Sequence, residues 1–160
     1  MHSEPKAEHE FLKKFIGEWA FESEASMEPG GDVMQFNGTE SVRPIGDRWV
    51  VGEMHGKMPD GSMATMMNSI GFSATRNRFV GTFFGSPDDH LWIYDGSLDK
   101  TNNELTLEAE GPSMTVPGKF CSYRDINRFV SDNERQFRSE VREDDGTWRT
   151  FMRATYTRQA

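Results

Sequence analysis

From Trp19 to the end of the chain, apolar and polar residues alternate in one segment after another, and turn sequences separate the segments. In the first segment Trp19 and Phe21 fall on one side of an extended chain, whereas Glu22 and Glu24 fall on the other. Alternation of this kind is typical of antiparallel strands that bury one face. Because turn sequences recur about every ten residues, the pattern predicts an all-β protein of about ten antiparallel strands.

About ten half-buried strands can form either a closed barrel or a two-sheet sandwich, and periodicity alone does not distinguish these folds. A flat sheet of that width would expose its two edges, whereas closure into a barrel removes them. Gly38, Gly81 and Gly96 lie inside predicted strands, where glycine is typical of the bends that a barrel requires. We therefore expect an up-and-down barrel, with the sandwich as the alternative.

A short helix is predicted before the first strand. The apolar residues of 11–16 fall on one face of a helix, and Gly17 suits the left-handed conformation that often ends one. The length of 160 residues supports one well-packed core but not two. We expect a single domain over residues 1–160, of which residues 1–8 are flexible.

The composition argues against several classes of function. The net charge is −8 and no run of Lys or Arg exceeds two residues, so we expect no nucleic-acid partner. The single cysteine, Cys121, cannot form an internal disulfide, which suits a reducing compartment such as the cytoplasm. The N-terminal residues lack the basic and apolar regions of a signal peptide, and no stretch is apolar enough for a membrane-spanning helix, so we expect neither. The four histidines lack the spacing of metal ligands, so we predict neither a metal nor a cofactor.

The start of the chain resembles calycin-type barrels, in which a short helix closes one end and Gly-x-Trp begins the first strand. The sequence that carries this resemblance is FLKKFIGEWAFESEASM, residues 11–27. In those barrels a basic residue of the last strand commonly packs on the tryptophan. The resemblance therefore implies that Arg153 or Arg158 packs on Trp19.

A second, more specific resemblance is carried by residues 38–58, 69–86, 92–111 and 118–158, which together cover nearly the whole chain. In these residues the chain is similar to a bacterial lipocalin-like family, domain of unknown function 1579. That resemblance implies a lipocalin-like barrel but no established chemistry, and only by analogy does it suggest ligand binding.

Polar residues on the apolar faces of predicted strands are candidates for the barrel interior. Glu40, Asn68 and Arg124 each share a face with large apolar residues. A buried carboxylate near a buried guanidinium would pair with it, because either group alone is costly inside a protein. We expect Glu40 and Arg124 to pair, either as a polar floor that orients a ligand or as a structural ion pair without one. The residues that define these faces are Phe36 and Val42, then Met66, Ile70 and Phe72, then Phe120 and Ile126.

Glu53 and His55 lie two positions apart on one predicted strand and share a face with Trp49 and Val51. If that face is inward, the carboxylate and the imidazole can exchange a proton with a bound substrate. The opposite face carries Val50 and Met54, so neither face is clearly the apolar one. An exposed Glu53 and His55 is the alternative.

Trp92 and Tyr94 share a face of another predicted strand, where they would either stack on a flat ligand or pack as core aromatics. Five of the ten methionines lie in residues 54–67, and thioethers suit both an adaptable pocket and an ordinary core. We predict a protein that holds a small apolar molecule inside its barrel. The alternatives are an enzyme that uses Glu53 and His55 on such a molecule, and an interaction protein whose barrel is filled by its own side chains.

One predicted strand, residues 78–85, carries aromatic residues on both faces. Phe79 and Phe83 fall on one face and Phe84 falls on the other. An apolar wall of this kind is often covered by a partner, and a homodimer is the commonest arrangement. A cytoplasmic homodimer is therefore an expectation.

Overall fold

The computed structural model describes residues 4–160, and this part of the chain contains one α-helix, α1 (Ala7–Leu12), a 3-10 turn (Lys13–Phe15) and ten strands. The flexibility expected for residues 1–8 falls partly outside the described residues, since residues 1–3 are not among them. The strands are β1 (Gly17–Ala25), β2 (Met34–Ile45), β3 (Trp49–Lys57), β4 (Met63–Ser73), β5 (Arg78–Gly85), β6 (Trp92–Asp99), β7 (Glu104–Pro112), β8 (Phe120–Ser131), β9 (Glu134–Arg142) and β10 (Trp148–Arg158).

The ten described strands form one closed antiparallel barrel. Each strand pairs with the next one in sequence, and β10 closes the barrel on β1, with Arg158 opposite Trp19 and Met152 opposite Ala25. The predicted up-and-down barrel of about ten strands is confirmed, and the sandwich is excluded. Within residues 4–160 no helix is long and apolar enough to cross a membrane.

The register between strands places one alternating set of residues inside the barrel. Trp19 lies opposite Glu40, Glu40 lies opposite Met54, and Met54 lies opposite Met66. Residues directly opposite each other on neighbouring strands point to the same side of a sheet. Because Trp19 is 0% exposed, this set is the inner one, as the alternation on β1 predicts.

The helix and the 3-10 turn close one end of the barrel. Phe11, Leu12 and Phe15 are all buried there. The rings of Phe11 and Phe15 meet the ring of Phe129 edge to face, at centroid distances of 5.6 and 4.9 Å. The apolar face predicted for residues 11–16 therefore forms an aromatic plug at this end.

The α-helix ends earlier than the pattern predicts, and Gly17 does not cap it. The helix ends at Leu12, the 3-10 turn ends at Phe15, and Gly17 begins β1 with φ of 131°. Residues other than glycine rarely adopt this backbone conformation. A Cβ on Gly17 would also clash with Arg158 Nη1. That guanidinium lies 4.3 Å from the ring centroid of Trp19, so the basic residue that the resemblance implies is Arg158.

The glycines inside strands have a packing reason. A Cβ on Gly38, Gly81 or Gly96 would clash with a backbone oxygen of a neighbouring strand. On the inner side, Gly81 lies opposite Ile70 on one neighbour and Tyr94 on the other. At these three positions glycine allows neighbouring strands to approach closely.

Candidate functional site

The barrel encloses a cavity of about 560 Å³. Phe15 and Arg135 border it near the end that α1 closes, whereas Met27, Met58 and Met114 border it from the loops at the opposite end. Aromatic rings and thioethers form most of its walls, so the space is mainly apolar. The larger side chains of the walls include Phe21, Phe36, Met54, Met66, Phe83 and Trp92.

Four of the predicted site residues border this cavity from inner strand positions: Glu40, Asn68, Trp92 and Tyr94. Trp92 lies opposite Phe83, and its ring meets the ring of Tyr123 edge to face at 5.0 Å. The register places these four side chains on the inner face of the barrel. Their role in binding a ligand stays a prediction.

A buried polar cluster lies near the closed end of the cavity. Arg135 Nη2 donates to Glu40 Oε1 at 2.6 Å, and Arg135 Nη1 donates to Asn127 Oδ1 at 3.0 Å. Asn68 Nδ2 donates to the other Glu40 oxygen at 2.9 Å. Both charged side chains are almost fully buried, with 5% of Arg135 and 2% of Glu40 exposed. The Glu40 carboxylate is therefore matched by one cation and one amide.

The guanidinium of Arg135 is also enclosed by aromatic rings. Its central carbon lies 4.0 Å from the ring centroid of Tyr156, 4.9 Å from that of Trp19 and 5.0 Å from that of Phe15. Aromatic faces attract a cation and lower the cost of burying it. Its Nε has no hydrogen-bond partner in the described structure, so one donor of the buried guanidinium is unused.

The predicted pairing of Glu40 with Arg124 is wrong. Arg124 borders the cavity but lies opposite Glu140 on β9, and its Nε donates to that carboxylate. Its guanidinium also lies 4.1 Å from the ring centroid of Trp148. The face expected to be inward on β8 is the outer one, and Phe120 on that face is 62% exposed.

Glu53 and His55 lie on the outer face of β3 and do not border the cavity. About half of each side chain is exposed, and Glu53 Oε2 lies 3.5 Å from His55 Nε2. The inward residues of this strand are Val50 and Met54, which both border the cavity. The alternative orientation considered for this strand is therefore the observed one.

Asp125 is a second inward carboxylate, and no Lys, Arg or His among the described residues forms an ion pair with it. The hydroxyl of Tyr94 donates to Asp125 Oδ2, and the hydroxyl of Ser139 donates to Oδ1 at 2.6 Å. Asp125 is partly buried and borders the cavity. Burial raises the pKa of the Asp125 carboxyl, although both hydroxyls oppose this effect. Burial, followed by the Asp125 charge, also holds the pKa of Tyr94 well above its ordinary value.

Sequence reasoning missed Arg135 and Asp125, although a signal was present for each. Arg135 shares a face of β9 with Phe137 and Val141, and Asp125 shares a face of β8 with Tyr123. Apolar residues on the same face indicated an inward side chain at both positions. On β8, however, the opposite face is also partly apolar, so the choice between faces needed the register.

The loop end of the cavity is acidic. Asp88, Asp89 and His90 from the connection between β5 and β6 border it. The ring of His90 meets the ring of Trp92 edge to face at 4.6 Å, and its Nε2 lies 3.0 Å from the Glu110 carbonyl oxygen. Among residues 4–160, no three His, Cys, Asp or Glu side chains are grouped to hold a metal ion.

Solved structures share this architecture. The chain is similar to Rv2717c from M. tuberculosis, with a TM-score of 0.71 and 14% identity over 98% of this chain and 100% of that one. It is also similar to the S-type phycobiliprotein lyase CPES from Guillardia theta, with a TM-score of 0.65 and 10% identity over 97% of this chain and 94% of that one. At such low identity the likeness shows the fold alone.

No curated protein sequence is significantly similar to this chain. The profile of the family described as "Protein of unknown function (DUF1579)" matches residues 4–158, which is nearly the whole chain. The ten-strand barrel with its short N-terminal helix agrees with the lipocalin-like fold that the sequence resemblance implied for that family. The chain therefore belongs to the DUF1579 family.

Proposed function

We propose that this protein binds a small, largely apolar molecule in the barrel cavity. The observation that carries the proposal is the unfilled interior of about 560 Å³, which lies within the range of roughly 300–1,000 Å³ that is usual for ligand pockets. Voids in protein cores rarely exceed the size of a water molecule, so a space this large is not a packing fault. It does not favour the alternative of a barrel filled by its own side chains.

The walls and the polar groups have separate roles in this proposal. Burial of apolar ligand surface against rings such as Phe36 and Trp92 supplies affinity. A few inward polar groups then set the orientation of the ligand. Of these, Arg135 has one unused donor and Asp125 has no cation partner among the described residues, so both can interact with a ligand.

The geometry does not favour catalysis by Glu53 and His55, because both side chains lie outside the cavity. Substituting them, as in Glu53→Gln and His55→Ala, should leave ligand binding unchanged. We also propose that the protein works in a reducing compartment such as the cytoplasm, which suits its single cysteine. A homodimer is proposed on one observation: Phe84 is 46% exposed on the outer wall.

A cavity-filling variant tests the proposal. N-phenyl-1-naphthylamine is an uncharged probe that fluoresces in apolar surroundings, and we expect saturable binding to the wild-type protein. Ala154 is an inward residue that borders the cavity, and Ala154→Phe should weaken probe binding about tenfold or more because the ring occupies the site. Ala20→Phe adds the same ring on the other face of β1 and should not affect binding.

Equal binding by the two variants, or no saturable binding by the wild type, would overturn the proposal. Native mass spectrometry of gently purified protein reports co-purified ligand and the number of subunits in the same measurement. A mass above that of the chain, lost under denaturing conditions, would support a bound molecule.

A further inference from the structure

We propose that the molecule held in the cavity carries a cationic group, such as a protonated amine, that pairs with the Asp125 carboxylate. This inference rests on the proposed function and adds the chemical class of the ligand to it. Some charges that border the cavity are matched by protein groups, whereas the charge of Asp125 is not matched by any described cation.

Asp125 has acceptor capacity left over. A carboxylate has about four lone-pair positions, and the Tyr94 and Ser139 hydroxyls account for two of them at Asp125. Among residues 4–160, no Lys, Arg or His forms an ion pair with it. Since Asp125 borders the cavity, a bound molecule can reach its remaining positions.

The positive charge inside the barrel is already matched. Arg135 pairs with Glu40 at 2.6 Å and is enclosed by three aromatic rings. Arg124, the other guanidinium that borders the cavity, pairs with Glu140. An anionic ligand would therefore find no unmatched guanidinium among the described residues that border the cavity, although Arg135 Nε can donate to a neutral acceptor.

The loop end of the cavity adds further negative charge. The described residues that border the cavity include four carboxylates, Glu40, Asp88, Asp89 and Asp125, against the two guanidiniums of Arg124 and Arg135. The whole chain carries a net charge of −8. A concave site with an excess of negative charge and low-dielectric walls attracts positively charged ligands. Aromatic walls such as Trp92 and Tyr123 also favour a cation over an anion.

The energetics of burial favour the same ligand. An ionised carboxylate without a partner is costly to bury, and burial accordingly raises the pKa of Asp125. An ammonium group on the ligand would supply the positive charge that no described protein group supplies at Asp125. A carboxylate ligand would instead be desolvated beside a like charge.

Three ligands with the same alkyl chain test the inference: dodecylamine, dodecanol and dodecanoate. Each is titrated at neutral pH against N-phenyl-1-naphthylamine bound to the protein. We expect dodecylamine to displace the probe about tenfold or more tightly than dodecanoate, because the ammonium group pairs with the Asp125 carboxylate whereas the dodecanoate carboxylate would meet a like charge. Asp125→Asn should reduce the affinity for dodecylamine about tenfold and leave that for dodecanol unchanged.

The matched control is Asp132→Asn in the exposed turn between β8 and β9, at the opposite end of the barrel from the acidic loops. It makes the same change in net charge and should leave the preference for dodecylamine intact. Melting curves show that each variant is folded, and the wild-type ranking of the three ligands is informative even if a variant does not fold.

The two proposals fail in different ways. Binding of dodecanol with no preference for dodecylamine over dodecanoate overturns the cation inference but leaves the cavity proposal standing. An amine preference that survives in Asp125→Asn also overturns it. If neither the probe nor any of the three ligands binds, both proposals are overturned.

Discussion

The guanidinium of Arg135 and the carboxylate of Glu40 meet at 2.6 Å inside the barrel, although 95 residues separate them in the sequence. Their strands, β9 and β2, are not neighbours in the sheet, so the pair spans the interior. Only 5% and 2% of the two side chains are exposed. The pair therefore links two strands that are separated by β1 and β10 in the barrel, and it forms the polar part of the closed end of the cavity.

Removing one partner of this pair should destabilise the fold severely. Arg135→Met leaves Glu40 buried without a cation, and we expect a loss of about 3–5 kcal/mol in the free energy of unfolding. Adding Glu40→Gln should restore part of that loss, because the unmatched charge is then gone. Urea denaturation measures both effects. As a control, Lys119→Met removes the exposed partner of Asp144 and should change little; a similar loss in both variants would contradict the prediction.

Gly17→Ala should be more harmful than substitution of a glycine in open space. Gly17 has φ of 131°, and a Cβ there would also clash with the arginine that packs on Trp19. Gly46 has φ of 59°, and a Cβ added there would meet nothing within 4 Å. We expect Gly17→Ala to cost about 3 kcal/mol and Gly46→Ala about 1 kcal/mol in thermal or urea unfolding. Equal costs would show that Arg158 does not require the space.

Asp125→Asn should stabilise the protein without ligand at neutral pH but not in acid. Because the folded pKa of Asp125 is raised, the folded state holds its proton more tightly than the unfolded state. The resulting stability is fully present below the ordinary pKa of 3.8 and is lost as pH rises through the folded pKa. Each unit by which the folded pKa is raised corresponds to about 1.4 kcal/mol in the free energy of unfolding. The neutral amide avoids this loss.

Melting temperatures from acid to neutral pH measure the difference between wild type and Asp125→Asn. Of the groups around Asp125, Tyr94 on β6 and Tyr156 on β10 stay neutral in this range, and Glu40 is paired with Arg135 on β9. Asp132→Asn should show no comparable trend, since Asp132 is exposed. A constant difference between wild type and Asp125→Asn at all pH values would contradict the assignment.

The three tyrosines should resist ionisation until the protein unfolds. Burial raises the pKa of Tyr123 to about 12, and it raises those of Tyr94 and Tyr156 as well. The stability linked to these raised values is complete below the ordinary pKa of 10.0 and is lost as pH rises through the folded values. We expect phenolate absorbance to appear together with loss of the β-sheet circular dichroism signal. Phenolate formation well before unfolding would contradict this prediction.

Much of the fold could be predicted because its signals are local. Strand alternation and turn sequences act over a few residues, so they indicated about ten strands and, with the need to cover sheet edges, a barrel. The inward orientation of Glu40, Asn68, Trp92 and Tyr94 could also be read from the sequence. On each of those strands one face is distinctly more apolar than the other, and a strand buries its apolar face.

The partner of Glu40 and the inner face of β8 were decided only by the tertiary structure. Phe120 and Ile126 made the outer face of that strand look like a core face, and this error placed Arg124 inside. The register with β7 and β9 instead turns Asp125 and Asn127 inward and brings Arg135 to Glu40. The alternation along the chain determined that strands form and which residues share a side. Closure of the sheet determined which distant side chains meet and how much space they leave, because both depend on register and curvature between strands rather than on any one strand.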